Sequence, residues 1–318
     1  RMKKSQIPFK VLLIITVITF LLYIFWGNAF AYPLIMQLRA KKVLIFLLVG
    51  VSSSISTLAF QCIVNSRFLT PGILGMESFY RLIQTLLYFF GFRFIQTTLL
   101  PATQFLLVVA IMVLSFWALS RFSWQNISYD LHSVLLIGMV IGMLFSSIST
   151  FFQVLMDPNE YDRLQMKLFP TFQNVNTLVL VLAILLVIPI FISLWNNRKT
   201  LEVLRMGTEQ AVNLGIDTNK QIKKVLLQIV ILSAVSAALV GPMMFLGFTT
   251  ANLAYLLFRT YRMDVLFLAT SLLGFIALLM GQFMVEQVFQ FQTNASIIIE
   301  WFGGILFFVL LWKERKKA

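Results

Sequence analysis

The sequence predicts an all-α, polytopic membrane protein of about ten transmembrane helices, and three observations lead there. Hydrophobic residues fill 59% of the 318 positions and charged residues only 12%, well beyond the roughly half apolar content of a soluble domain. Mean hydropathy is +0.90. The apolar residues also fall in repeated runs, each close to the roughly 20 residues that a helix needs to cross about 30 Å of hydrocarbon.

Taken in order, the spans are 11–26, 43–64, 73–90, 99–119, 134–156, 177–195, 222–239, 249–258, 265–285 and 297–312. The first follows "RMKK" and precedes Ala29-Phe30-Ala31, the outline of a secretory signal with a small-x-small cleavage site. Because further spans follow, it is read as an uncleaved first helix. The third carries Glu77 and Arg81, four residues apart on one helical face and close enough to pair. Ionisable groups inside a span are candidates for function, with a structural pair as the competing reading. After the fifth, Asp157, Glu160 and Asp162 cluster beside Pro158. They lack a fourth convergent ligand for a metal and read as a solvated outer loop. The seventh ends in "VGPMMFLGF", where Gly241-Pro242 and Gly247 interrupt the helix. That is either a proline kink or a break facing a cavity. The eighth is short, and an even count puts both termini on one side.

The charge pattern orients the bundle. The net charge is +13, and excess Lys and Arg in a membrane protein mark cytoplasmic loops rather than nucleic-acid binding. With cytoplasmic termini, the outer loops hold only Arg39, Lys41, Lys42, Arg93, Arg163 and Lys167, and Arg81 lies in a span. The rest of the 25 basic residues fall on the cytoplasmic side. A single cysteine, Cys62, excludes an internal disulfide, and a single histidine, His132, leaves no imidazole cluster for a metal and reads as interfacial. No set of catalytic residues converges, and no G-x-x-x-x-G-K-[ST] phosphate loop is present. The chain is expected to supply no ATP site and to bind no cofactor of its own.

The longest polar connection, 196–221, includes "LRMGTEQAVNLGID". Its charges cannot lie in hydrocarbon, where each costs about 2.5–3.5 kcal/mol. Gly207 can stop one short helix, Thr208 can cap the next, Gly215 can stop that, and Thr218 with Gln221 forms a capping box for the seventh span. Two short helices under the membrane result, serving either as a solvated loop or as a docking surface.

These residues resemble the FecCD-type permeases of bacterial ABC importers for iron siderophores, haem and vitamin B12. "GTEQAVNLGI" is similar to that family's cytoplasmic coupling motif, G-x-x-x-A-x-x-L-G. "NSRFLTPGILG" resembles its N-P-L-A-x-P-x-x-L-G segment and keeps Asn65, Pro71, Leu74 and Gly75. "VGPMMFLGF" is similar to its G-P-I-x-F-x-G-L break, and "WFGGILFFVLL" to its terminal helix. The matches are ordered and span most of the chain. Departures occur where the family commonly has P-H-x-x-R, here Ala251 to Tyr255, and R-L-P-R, here Arg39-Ala40-Lys41-Lys42. Gln282 and Glu286 stand where Asp and Arg are usual. These point to the divergent branch resembling permeases for petrobactin-like catecholate siderophores, in which two different permease subunits pair.

The resemblance implies a type II ABC importer permease fold over a single domain, 1–318, in a bacterial cytoplasmic membrane. A ferric siderophore passes inward intact by alternating access, powered by ATP and Mg on partner ATPase subunits. Haem or vitamin B12 is the alternative cargo, and an ion-coupled secondary transporter is a rival with few intramembrane carboxylates to support it. Leu204, Gly207, Glu209, Ala211, Leu214 and Gly215 are the implied ATPase-coupling residues. Arg39, Lys41 and Lys42 are the implied contacts for an extracellular substrate-binding lipoprotein, with anchoring at lipid headgroups as their other reading. Gln61, Asn65, Glu77, Arg81, Pro242 and Asn252 are pathway candidates. The 32 phenylalanines suit an aromatic chelate or, more simply, the surrounding bilayer.

Overall fold

The computed structural model describes residues 9–26, 33–90, 100–123, 131–172 and 175–315. Ala29-Phe30-Ala31 and the basic residues Arg1, Lys3, Lys4, Arg93, Lys316 and Lys317 lie outside the described residues, as do the side chains of Arg121, His132, Lys313 and Arg315. The described chain is helical throughout. Its elements are α1 (Phe9–Phe25), α2 (Pro33–Val64), a 3-10 turn (Pro71–Leu74), α3 (Met76–Phe89), α4 (Pro101–Ser123), α5 (Leu131–Val154), α6 (Pro158–Leu168), α7 (Thr177–Asn196), α8 (Arg198–Leu204), α9 (Thr208–Asn213), α10 (Thr218–Val240), α11 (Met244–Phe258), α12 (Met263–Gln287) and α13 (Ala295–Arg315).

Among the described residues, α2, α4, α5, α7, α10 and α12 contain stretches long and apolar enough to cross a membrane, while α1, α11 and α13 provide shorter apolar helices. The remaining predicted span, the third, differs. It breaks at Gly75, which adopts φ 77°, so a 3-10 turn precedes a helix of only 14 residues. The acidic cluster after α5 also differs from the loop expected of it. Asp157 accepts a hydrogen bond from the Asn159 amide at 2.9 Å and caps the 11-residue α6, with Pro158 in the first turn. Glu160 pairs with Arg163 one turn later at 3.4 Å. An acidic cap followed by proline is a helix-start signal, and the fully buried Leu164 anchors the result.

The helices divide into two compact units. In the first, residues 1–58 and 243–318, α12 packs against α1, α11 and α13. Small residues bring backbones together: a Cβ on Gly50 of α2 would stand 2.9 Å from the Gly274 backbone of α12. Such close approach is how apolar helices associate when lipid offers no hydrophobic drive. Nearby, the hydroxyls of Ser54 and Thr250 meet at 2.9 Å.

In the second unit, residues 59–242, α3 packs on α5 and α6, and α10 packs on α4, α7 and α3. A buried polar cluster joins α3 to α5. Thr85 and Ser149 hydroxyls lie 2.8 Å apart, and Gln153 Nε2 donates to both at 3.0 Å. The α10 helix stops at Gly241, whose φ of 107° is closed to residues with a side chain. Thr171 N donates to Val240 O at 2.9 Å, tying this end to the segment after α6.

Candidate functional site

The polar connection between α7 and α10 folds as the two short helices that its glycines predict. Arg198 Nη1 donates to Trp195 O at 2.9 Å while its guanidinium lies 5.3 Å from the Trp195 ring centroid. Asn197 Nδ2 donates to Ser193 O at 2.8 Å. These contacts fix α8 to the end of α7. The chain then turns at Gly207, with φ 118° and ψ 151°, and α9 begins. At the end of α9, Gly215 N donates to Val212 O at 2.9 Å and Ile216 N to Ala211 O at 3.0 Å. That pair of bonds closes a Schellman motif around left-handed Gly215, so the turn is rigid.

Two capping assignments are corrected. Gly207 itself occupies the cap position of α9 without a side-chain bond, so Thr208 is the first helical residue and not the cap. Asp217, not Thr218, caps α10, its Oδ1 accepting from Lys220 N at 3.1 Å. Thr218 is buried as the first helical residue. The carboxylate precedes the helix by one position, where it reaches the free amides better than a hydroxyl inside the first turn.

The predicted coupling residues divide by burial. Leu204 and Ala211 point inward with Leu201 and hold the two helices in place. Glu209, Leu214 and Gly215 are exposed, and Gly207 has nothing within 4 Å of where a Cβ would project. Met206 and Val212, which motif matching did not single out, are also exposed, at 63% and 47%, beside Leu214 at 66%. An available signal was their apolar character in an otherwise polar connection. Three exposed apolar side chains within one short polar connection form a candidate contact surface.

The three basic residues predicted for outer docking have different surroundings. Arg39 Nη1 donates to the carbonyls of Tyr23, Ile24 and Trp26 at 3.0, 3.1 and 2.9 Å, satisfying the last turn of α1. Lys42 pairs with Glu286 at 2.9 Å, and the same carboxylate accepts from Tyr23 OH at 3.1 Å and from Gln282 Nε2 at 2.9 Å. Lys41 is half-buried.

Gln61 is buried and donates to Arg67 O at 2.8 Å, while its Oε1 has no hydrogen-bond partner among the described residues. Asn65 is exposed and ends α2 in a left-handed conformation, φ 55°. Glu77 sits in the first turn of α3 with its carboxylate beside Gly72. Arg81 is exposed and lines a cleft of about 240 Å³ with Gln153, Gln165, Leu168 and Phe169. Pro242 follows the break after α10, and Asn252, inside α11, donates back to Phe248 O at 2.9 Å. A larger cavity, about 390 Å³, lies among α3, α4, α6, α7 and α10 and includes Gln84, Gln104 and Lys167, none of which the motifs flagged.

Several helices apolar enough to cross a membrane, with a structured polar hairpin between two of them, are the architecture of a polytopic membrane protein. The fold is shared with a metal-chelate type ABC transporter solved in an inward-facing conformation, at a TM-score of 0.82 and 22% identity, covering 96% of this chain and 98% of that one. The chain belongs to the FecCD transport family, whose model matches residues 5–313. Among its relatives, the petrobactin import system permease protein YclO of Bacillus subtilis (strain 168) is 39% identical over 98% of this chain and 99% of its own length. The petrobactin import system permease protein FatC of Bacillus anthracis is 32% identical over 88% of this chain and 79% of its own.

Proposed function

We propose that this chain is the permease subunit of an ABC importer that carries an intact ferric siderophore of the petrobactin type into the cytoplasm. The observation carrying this reading is the α8–α9 hairpin, which exposes Met206, Val212 and Leu214 around Glu209 on a rigid, Schellman-closed turn. A lever must be stiff to pass a partner's closure to a bundle. The two petrobactin permease relatives support the choice of cargo.

ATP hydrolysis belongs to partner ATPase subunits, whose groove receives the segment 201–214. A second, different permease subunit completes the pore. Both termini face the cytoplasm, a reading supported by the distribution of Lys and Arg. An extracellular lipoprotein delivers the chelate, with Lys41 the basic residue best able to meet it, because Arg39 and Lys42 already hold partners within the chain. Complementary charge there guides encounter and orientation more than it adds affinity.

The test is co-purification of the chain with its associated subunits, followed by reconstitution in proteoliposomes with the binding protein. ATP-dependent accumulation of radiolabelled ferric petrobactin is expected, and none with the chain alone. Accumulation of haem or vitamin B12 in preference to the siderophore would overturn the cargo, and uptake without any ATPase would overturn the division of labour.

A further inference from the structure

The cavity of about 390 Å³ in the second unit has an uncommon combination of walls. Its rim is formed at the end of α6 by Lys167 and at the start of α7 by Asn176, with Gln84 and Gln104 deeper in. Among the described residues its lining contains one cation and no carboxylate. Lys167 makes no hydrogen bond or ion pair among the described residues. The Asn176 side chain caps α7, accepting from Leu178 N at 2.9 Å, so the positive end of a 20-residue helix also faces this rim. A cavity with an uncompensated ammonium and a helix N-terminus recruits an anion.

The surroundings say which anion. Val108 and Val179 line the cavity, and the exposed Leu107 and Ile111 of α4 lead away from it along an apolar, membrane-crossing stretch. The α6 helix, on which Lys167 sits, also exposes Tyr161 and Met166, with Phe169 just beyond it. Aromatic and long apolar side chains flanking a lysine are the composition of a membrane interface. A free inorganic ion would use the ammonium and leave the apolar wall in contact with water. A molecule with an anionic head and an acyl chain uses both.

We propose that this cavity binds an anionic phospholipid, its headgroup phosphate meeting Lys167 and its acyl chain running along Leu107 and Ile111. Lys167 is exposed at the rim; partial burial against the wall lowers its pKa from the ordinary value, and a bound phosphate opposes that shift by favouring the charged form. The lipid bridges the end of α6 and the start of α7, both of which line the cavity. This site is independent of the identity of the cargo.

The test uses the full chain purified with its subunits into nanodiscs of mixed phosphatidylglycerol and phosphatidylcholine. Lipid retained after delipidation is counted by native mass spectrometry. Wild type is expected to retain phosphatidylglycerol selectively, Lys167→Gln to retain about fivefold less, the contribution of one lysine near an anionic surface, and Lys167→Arg to restore most of the retention. Equal retention of phosphatidylglycerol by wild type and Lys167→Gln overturns the site. So does phosphatidylcholine retained as well as phosphatidylglycerol, or inorganic phosphate raising the melting temperature as much as phosphatidylglycerol does. Circular dichroism of each variant separates loss of lipid from loss of fold, and the Lys167→Arg variant keeps the outcome decisive if the glutamine variant does not fold.

Discussion

The basic end of α2 and the hairpin between α7 and α10 look alike in sequence, since each is a short charged interruption of apolar runs, and each suggests a docking surface. The structure treats them oppositely. At the start of α2, Arg39 and Lys42 turn onto their own unit, one satisfying the carbonyls that end α1 and the other meeting Glu286. In the hairpin, Glu209 is exposed and the apolar Met206, Val212 and Leu214 stand outward with it. Charge in a loop therefore does not identify a partner surface by itself. What identifies one is side chains whose physical demands the chain leaves unmet, and in water those are the apolar ones.

The sharpest way to break this contrast is to remove the hairpin's rigidity without touching its surface. Gly207 holds φ 118°, and its N–H donates to Leu204 O at 3.1 Å. Proline forbids both, at a cost of about 3 kcal/mol or more. If the lever works only in its native turn, Gly207→Pro lowers uptake by about 100-fold, the factor that such an energy carries, with the protein still abundant in the membrane. Gly207→Ala gives an intermediate loss, because open space surrounds the position and only the backbone is strained. Siderophore uptake normalised to immunoblotted protein checks both. Unchanged uptake in the proline variant would make the hairpin a passive loop.

The other side of the comparison predicts a defect of stability. Glu286 accepts from three donors and is 8% exposed as a side chain, whereas Lys42 is 18% exposed. Glu286→Ala leaves a partly buried ammonium and a tyrosine hydroxyl without their acceptor, a loss of about 2 kcal/mol on the scale of hydrogen bonds to charged groups. Melting of the detergent-solubilised protein reads it, and a drop of several degrees is expected. A variant that melts like wild type but loses the binding protein in a pull-down would return this cluster to the class of docking surfaces.

How much of this was legible beforehand follows from the range of the forces involved. Most apolar helices were readable because hydropathy and length are local properties, and the hairpin was readable because Gly207 and Gly215 carry their backbone requirement with them. The Lys42–Glu286 pair was not, since 244 residues separate its members and no spacing rule reaches across them. The cavity around Lys167 draws on five helices and was invisible for the same reason. The failure at α3 is different. The motif keeps Gly75 without showing its left-handed conformation, and an apolar window over 73–90 passes over a single residue with positive φ.

The smallest effect tests the finest distinction, which residue fastens the hairpin to α10. Asp217 Oδ1 accepts from Lys220 N, while Thr218 lies buried one position inside the helix. Asp217→Ala removes the cap and costs about 1 kcal/mol, whereas Asp217→Asn keeps an acceptor in the same place and costs little. Thr218→Val preserves shape and tests whether that hydroxyl contributes. Thermal melting should rank Asp217→Ala below Asp217→Asn and Thr218→Val, with hydrogen exchange rising first at the α10 amides near Lys220. The reverse ranking would return the cap to Thr218, and would mean that the exposed carboxylate of Asp217, like Glu209, is available to a partner instead of being spent on the fold.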